Sequence, residues 1–112
     1  MEFSELALRS EHPLKLGERC TVFMEKELVP YLHQGVPKED ILAGLHKALA
    51  GKIYALIDRV GLKEPCAVSG GGGLNVGLIK SIEELGIQLL VPSQPQIVNA
   101  LGAALVAGEP DF

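Results

Sequence analysis

Cys66-Ala67-Val68-Ser69-Gly70-Gly71-Gly72-Gly73-Leu74-Asn75-Val76-Gly77-Leu78-Ile79 is the stretch on which the fold turns. Cys66-Ala67-Val68 is a short apolar run of the kind that forms a buried strand, and four consecutive glycines follow directly. From Asn75 to Leu85, Leu78, Ile79, Ile82 and Leu85 recur at helical spacing, and Gly86 supplies the stop. Ile87 to Val91 is a second apolar run closed by Pro92, and Gln96 to Val106 reads as an alanine-rich helix. Strand, helix, strand, helix in this order predicts a parallel βαβα unit with a right-handed crossover.

Glycines between a strand end and a helix start let backbone N–H groups come close to an anion or a nucleotide. The two common signatures both fail here. A G-x-G-x-x-G beginning at Gly70 needs glycine at 75, where the chain has Asn75. A phosphate-binding loop beginning at Gly72 reaches Gly77 and then has Leu78 where lysine is required. The run is therefore a nucleotide-type turn of neither standard kind, or a tight strand-to-helix turn without ligand. Spacing alone does not choose between them.

Upstream the chain reads as helical. Met1 to Ser10 carries Phe3, Leu6 and Leu8 among charges, a short helix broken at His12-Pro13. Val22, Phe23, Leu28, Val29 and Leu32 predict a second helix, with Pro30 expected to kink or restart it. The clearest helix follows. Pro37 suits its first turn, Glu39 and Asp40 favour its positive end, and Gly61 ends it. Ile41, Leu45, Leu49, Ile53, Leu56 and Val60 form one apolar stripe along it. Gly44 and Gly51 inside this helix each cost about 1 kcal/mol against alanine, which close packing of another backbone would explain.

A length of 112 residues suits a single domain over 1–112, expected to bury roughly two-thirds of its unfolded surface. Hydrophobic residues at 47% and charged residues at 21% argue against disorder. A net charge of −4 without a Lys/Arg run argues against a nucleic-acid or anionic-membrane partner. No apolar stretch reaches the ~18 residues of a membrane span, and the first thirty residues show no secretory pattern. Cys20 and Cys66 form no CxxC pair, so a reduced, cytoplasmic setting is expected. Read singly, Cys20 is a small hydrophobe more often than a ligand, and Cys66 belongs inside a strand. His12, His33 and His46 share no metal-ligand spacing.

Taken together, several stretches resemble one family. Arg19-Cys20-Thr21-Val22-Phe23-Met24-Glu25-Lys26-Glu27 is similar to the cysteine signature of the BadF/BadG/BcrA/BcrD ATPases. These include activators of 2-hydroxyacyl-CoA dehydratases and ATPase subunits of benzoyl-CoA reductase. Gly35 to Leu45 resembles the lead into that family's long helix, and Ser69 to Gly77 its adenosine-binding turn. Val91-Pro92, followed by Pro95 to Ala104, resembles its closing helix.

The resemblance implies an actin-like, ribonuclease H-like α/β ATPase lobe. This chain would be its C-terminal part, a fragment or truncated paralogue with a helical first half and a parallel βαβα second half. It implies ATP or ADP and a [4Fe–4S] cluster in the full-length protein. Cys20 would be one cluster ligand, and two copies would supply only two of the four thiolates such clusters usually take. The chain by itself is therefore expected to hold no cluster. Gly70, Gly71 and Gly72 would line adenosine with Asn75 nearby, and the small residues of Asn99 to Ala104 would pack behind them. Gly73 replaces a usual alanine, implying a looser turn, and Asn99 stands where glycine is common. Implied partners are a second copy or related subunit and a CoA-ester dehydratase or reductase component. Phosphate-side residues have no counterpart, so the chain alone is expected not to hydrolyse ATP. Cys20 is expected to be accessible and Cys66 shielded. The alternatives are a stand-alone interaction domain of the same fold without nucleotide or cluster, and a sugar- or acetate-kinase-like lobe, which gives Cys20 no role.

Overall fold

Pro37 and Gly61 bound the longest element of the computed structural model, which describes residues 2–17 and 21–109. Pro37 stands just ahead of the first turn at φ −55°, ψ 141°. Gly61 takes φ 97°, the left-handed region that favours glycine, and its N–H donates to the Ile57 carbonyl at 2.9 Å. The helix between them, Lys38–Val60, is α3. It is preceded by α1 (Glu2–Ala7) and α2 (Thr21–His33). After it come β1 (Cys66–Ala67), a 3₁₀ turn at Gly71–Leu74, and α4 (Val76–Glu83). β2 (Leu89–Leu90), a second 3₁₀ turn at Pro95–Ile97, and α5 (Val98–Ala107) complete the order. No helix among the described residues is long and apolar enough to cross a membrane.

α2 runs through Pro30 without a restart. Proline lacks the N–H that would bond the Lys26 carbonyl one turn back, so this one bond is missing while the helix continues to His33. The Pro30 carbonyl still accepts from Gln34 N–H at 3.0 Å.

The two strands are parallel, as the strand–helix–strand order predicts, with Cys66 opposite Leu89 and Ala67 opposite Leu90. Cys66 N–H donates to the Gln88 carbonyl at 3.0 Å and Val68 N–H to the Leu90 carbonyl at 2.9 Å. Alternation along the strands sends Cys66 and Leu89 toward a cluster of Ala50, Ile82 and Ile87 from α3, α4 and the approach to β2. Ala67 and Leu90, on the opposite face, are exposed. The expectation of fully buried strands is thus corrected: with two strands in the sheet, only one face is covered, and even Cys66 is half-buried.

α3 corrects a second expectation. Ile41 of the apolar stripe is buried, but Leu49, Leu56 and Val60 are exposed, Val60 by 90%. Ile53 of the stripe packs half-buried against the Ala50, Ile82 and Ile87 cluster, but most fully buried positions of the helix are small: Ala43, Gly44, Ala48 and Ala50. The reason is backbone proximity. A Cβ on Gly44 would overlap the Leu14 carbonyl oxygen, and Leu14 N–H in turn donates to the Asp40 carbonyl at 3.0 Å. Gly77 does the same for α4, where a Cβ would lie 2.9 Å from the Ser4 carbonyl and 3.3 Å from the His46 ring. Glycine and alanine therefore bring α1, α3 and α4 together, and Ser4 and Ala7 of α1 are buried between them.

Outside this nucleus the chain is open. Its extents are 62 × 30 × 25 Å and its radius of gyration is 17.0 Å, against about 13 Å for a compact chain of this length. The accessible surface is 7978 Å², against about 6,000 Å² for a compact monomer of this mass. Burial is thus about half of the unfolded surface rather than two-thirds. α5 is the extreme case, with no buried residue and Leu105 exposed by 66%. None of Asn99 to Ala104 is buried, so the expectation that they pack closely behind the glycines is corrected; the Pro95–Ile97 turn packs against the Gly71–Leu74 turn instead.

Candidate functional site

Beyond β1 the backbone turns at Gly70, which adopts φ 92°, ψ 175°. A side chain is disfavoured at this φ, so glycine is required here by conformation. The Gly70 carbonyl accepts from Gly73 N–H at 3.1 Å, and the Gly72 carbonyl accepts from Asn75 N–H at 3.1 Å, closing the 3₁₀ turn. Gly71 and Gly72 have no positive φ, are exposed, and would meet no atom within 4 Å if given a Cβ. Conformation and packing therefore leave their lack of side chains unexplained. What they present is bare backbone at the end of a parallel strand, open to an approaching ligand.

Gly73 is the opposite case. The expectation of a looser turn is overturned, because Gly73 is buried and its Cβ would lie 2.7 Å from Pro95 Cβ and 3.0 Å from Pro95 Cγ. Alanine does not fit without moving Pro95. Asn75 closes the turn and starts α4, its Oδ1 accepting from Leu78 N–H at 3.0 Å. That cap satisfies one of the donors a helix start leaves free. Asn75→Ala is expected to cost about 1 kcal/mol, a fall of about 4–8 °C in melting temperature, with Asn75→Asp restoring most of it. Thermal unfolding followed by circular dichroism reads this directly.

Beside the turn lies an apolar groove of about 560 Å³ running between α3, α4 and β1, with Gly72 and Ser69 at one end and Ile53, Ile57 and Leu78 along it. Cys66 lines the same groove, and its thiol donates to the Lys63 carbonyl at 3.1 Å. The shielding expected for Cys66 is therefore only partial. Cys20 lies outside the described residues. Among the described residues, no three His, Cys, Asp or Glu side chains gather in a group able to hold a metal ion. His46 Nδ1 pairs with the Leu42 carbonyl at 2.6 Å, while His12 and His33 are exposed. The structure thus brings Gly70, Gly71, Gly72 and Asn75 into one turn. It adds Pro95, which spacing gave no reason to single out.

The model of the BadF/BadG/BcrA/BcrD ATPase family matches residues 1–107. The chain belongs to this family. It is 33% identical over 107 residues to the 2-hydroxyisocaproyl-CoA dehydratase activator of Clostridioides difficile, covering 95% of this chain and 40% of the activator. It is 36% identical to the (R)-2-hydroxyglutaryl-CoA dehydratase activating ATPase of Acidaminococcus fermentans, covering 95% and 41%. A benzoyl-CoA reductase subunit of Thauera aromatica is 28% identical over 111 residues, with 93% and 39% covered. The solved activator of the 2-hydroxyisocaproyl-CoA dehydratase from Clostridium difficile with bound ADPNP superposes with a TM-score of 0.89 at 33% identity, over 95% of this chain and 40% of the other. The Acidaminococcus fermentans (R)-2-hydroxyglutaryl-CoA dehydratase component A superposes with a TM-score of 0.88 at 35% identity, over 94% and 41%. The chain thus spans about two-fifths of the length of these relatives, and the expected actin-like ATPase fragment is the fold observed.

Proposed function

We propose that this chain is the adenosine-side, C-terminal portion of an ATP-dependent electron-transfer activator or ATPase subunit serving a CoA-ester dehydratase or benzoyl-CoA reductase. The observation that carries the reading is the unobstructed backbone of Gly71 and Gly72, in a fold that superposes on an activator with bound ADPNP. Gly70 turns the chain out of the strand, Gly71 and Gly72 offer backbone for the nucleoside to lie against, and Asn75 fixes where α4 begins. Phosphoryl transfer depends on positioned charge and metal, which the glycine turn does not carry. In this reading those groups belong to the remaining part of the ATPase, and this chain binds and orients the nucleotide.

Cys20 is assigned to the [4Fe–4S] cluster by resemblance alone. The residues of one chain do not make a cluster site: four thiolates are the usual set, and Cys66, the other cysteine, is engaged with Lys63 in the groove. A second copy or related subunit and a dehydratase or reductase component are the partners this reading calls for.

The test is Gly71→Ala in a fusion of this chain to the amino-terminal part of the Acidaminococcus activator, replacing the portion it matches. Position 71 has ordinary φ and open space, so the melting temperature should move by no more than a few degrees. ATP affinity should fall about tenfold, roughly 1.4 kcal/mol, because the added methyl group stands where the nucleoside approaches. Unchanged affinity in the variant would overturn the assignment.

A further inference from the structure

Pro95 is the largest side chain of the described residues that is almost completely removed from solvent, although it lies in the loop beyond the last strand. It meets the glycine turn at two points. Its carbonyl accepts Gly70 N–H at 2.7 Å, the shortest backbone bond in the loops and turns of the described residues. Its ring fills the space above Gly73, where a Cβ would come within 2.7 Å. Gly70 and Gly73 are the two ends of the open segment Gly71-Gly72. One residue thus grips the turn on either side of the part that faces outward, and it does so from the buried side, leaving the outward face clear.

From this geometry we infer that Pro95 is a positioning residue for the nucleotide turn: it holds Gly71 and Gly72 in the conformation that receives the nucleoside without touching it. The inference rests on the reading of the glycine turn given above. A free four-glycine segment has more conformational freedom to lose on binding than any other sequence of its length. A rigid ring locked against Gly73, with a hydrogen bond at Gly70, removes that freedom before the ligand arrives, and preorganisation of this kind appears as affinity. In this chain a methyl group at 73 would press on the Pro95 ring and shift the clamp.

The experiment uses the same fusion, with ATP affinity measured well below every variant's melting temperature. Pro95→Ala should weaken ATP binding about tenfold. Gly73→Ala, which disturbs the contact from its other side and is itself buried, should weaken it comparably. The double variant should lose little more than the worse single one, since both remove one device. Ile41→Val, at a buried position in the first turn of α3, supplies a loss of stability outside the turn and should leave affinity unchanged. Full affinity in Pro95→Ala, additive losses in the double variant, or an equal loss in Ile41→Val would each overturn the positioning role. If the unmodified fusion binds ATP and Gly71→Ala weakens it, such a result strikes Pro95 alone. If the unmodified fusion binds no ATP, the nucleotide reading fails and this inference falls with it.

Discussion

Gly44→Ala is expected to lower stability by about 2 kcal/mol net, a fall of about 10 °C in melting temperature for a chain of this size. Alanine is the better helix former, and in an open helix the change would gain about 1 kcal/mol. At position 44 the added carbon runs into the Leu14 carbonyl oxygen and stands 3.1 Å from Leu14 Cβ. Main chain cannot rotate aside as a flexible side chain would. Leu14 is further tied to α3 through the Asp40 carbonyl, and Ser10 donates to Asp40 Oδ1 at 2.6 Å, so the whole segment would have to lift. Gly102→Ala in α5 is the matched comparison, since nothing lies within 4 Å of its Cβ. Thermal unfolding at 222 nm should show a clear fall for Gly44→Ala and none for Gly102→Ala. A Gly44→Ala melting point at or above that of the parent would disprove the close approach.

Ile82→Ala is expected to cost about 2–3 kcal/mol, the low end of the range for removing a buried isoleucine. Ile82 is 5% exposed and joins Ala50 of α3 to Ile87 ahead of β2, with Ile53, Leu78 and Leu89 around it. It is the side chain through which both helices reach the sheet. The groove beside it is already open, so the neighbouring side chains can settle into the vacated space and part of the cavity penalty is relieved. In urea the midpoint should fall with little change in slope. A midpoint within error of the parent would mean that the α3–α4–sheet cluster does not hold the chain together.

The elements with local punctuation were legible in the sequence. Pro37 and Gly61 mark α3, Asn75 and Gly86 bracket α4, and the strand–helix–strand order implies the parallel pairing that Cys66 and Leu89 make. What failed was burial. Periodicity identifies which residues share a face, and it ranks faces by hydrophobicity. It favoured the Leu49–Leu56–Val60 side of α3, while the contact that forms is on the glycine and alanine side, where a backbone can approach. Hydrophobicity is a poor guide when closeness, not apolar area, selects the packed face. At the candidate site, the glycines were visible but their division of labour was not. Gly70 serves conformation, Gly73 serves packing, and neither requirement applies to Gly71 and Gly72. Pro95 was missed because it acts across a loop, and no sequence spacing encodes that contact.

α5 has a thermodynamic consequence of its own. Val98–Ala107 is a ten-residue helix, shorter than the ~12–15 residues at which an isolated helix begins to hold in water, and no side chain caps its start. It is apolar on every side, and none of its residues is buried. Such a segment has little of its own to keep it helical, so its order is conditional on being covered. Covering it is folding and binding in one event, with the negative heat-capacity change of apolar burial and the entropy cost of ordering the segment. Because α5 begins directly after the Pro95–Ile97 turn, that ordering event starts at Val98, within one turn of the residue that grips the glycines.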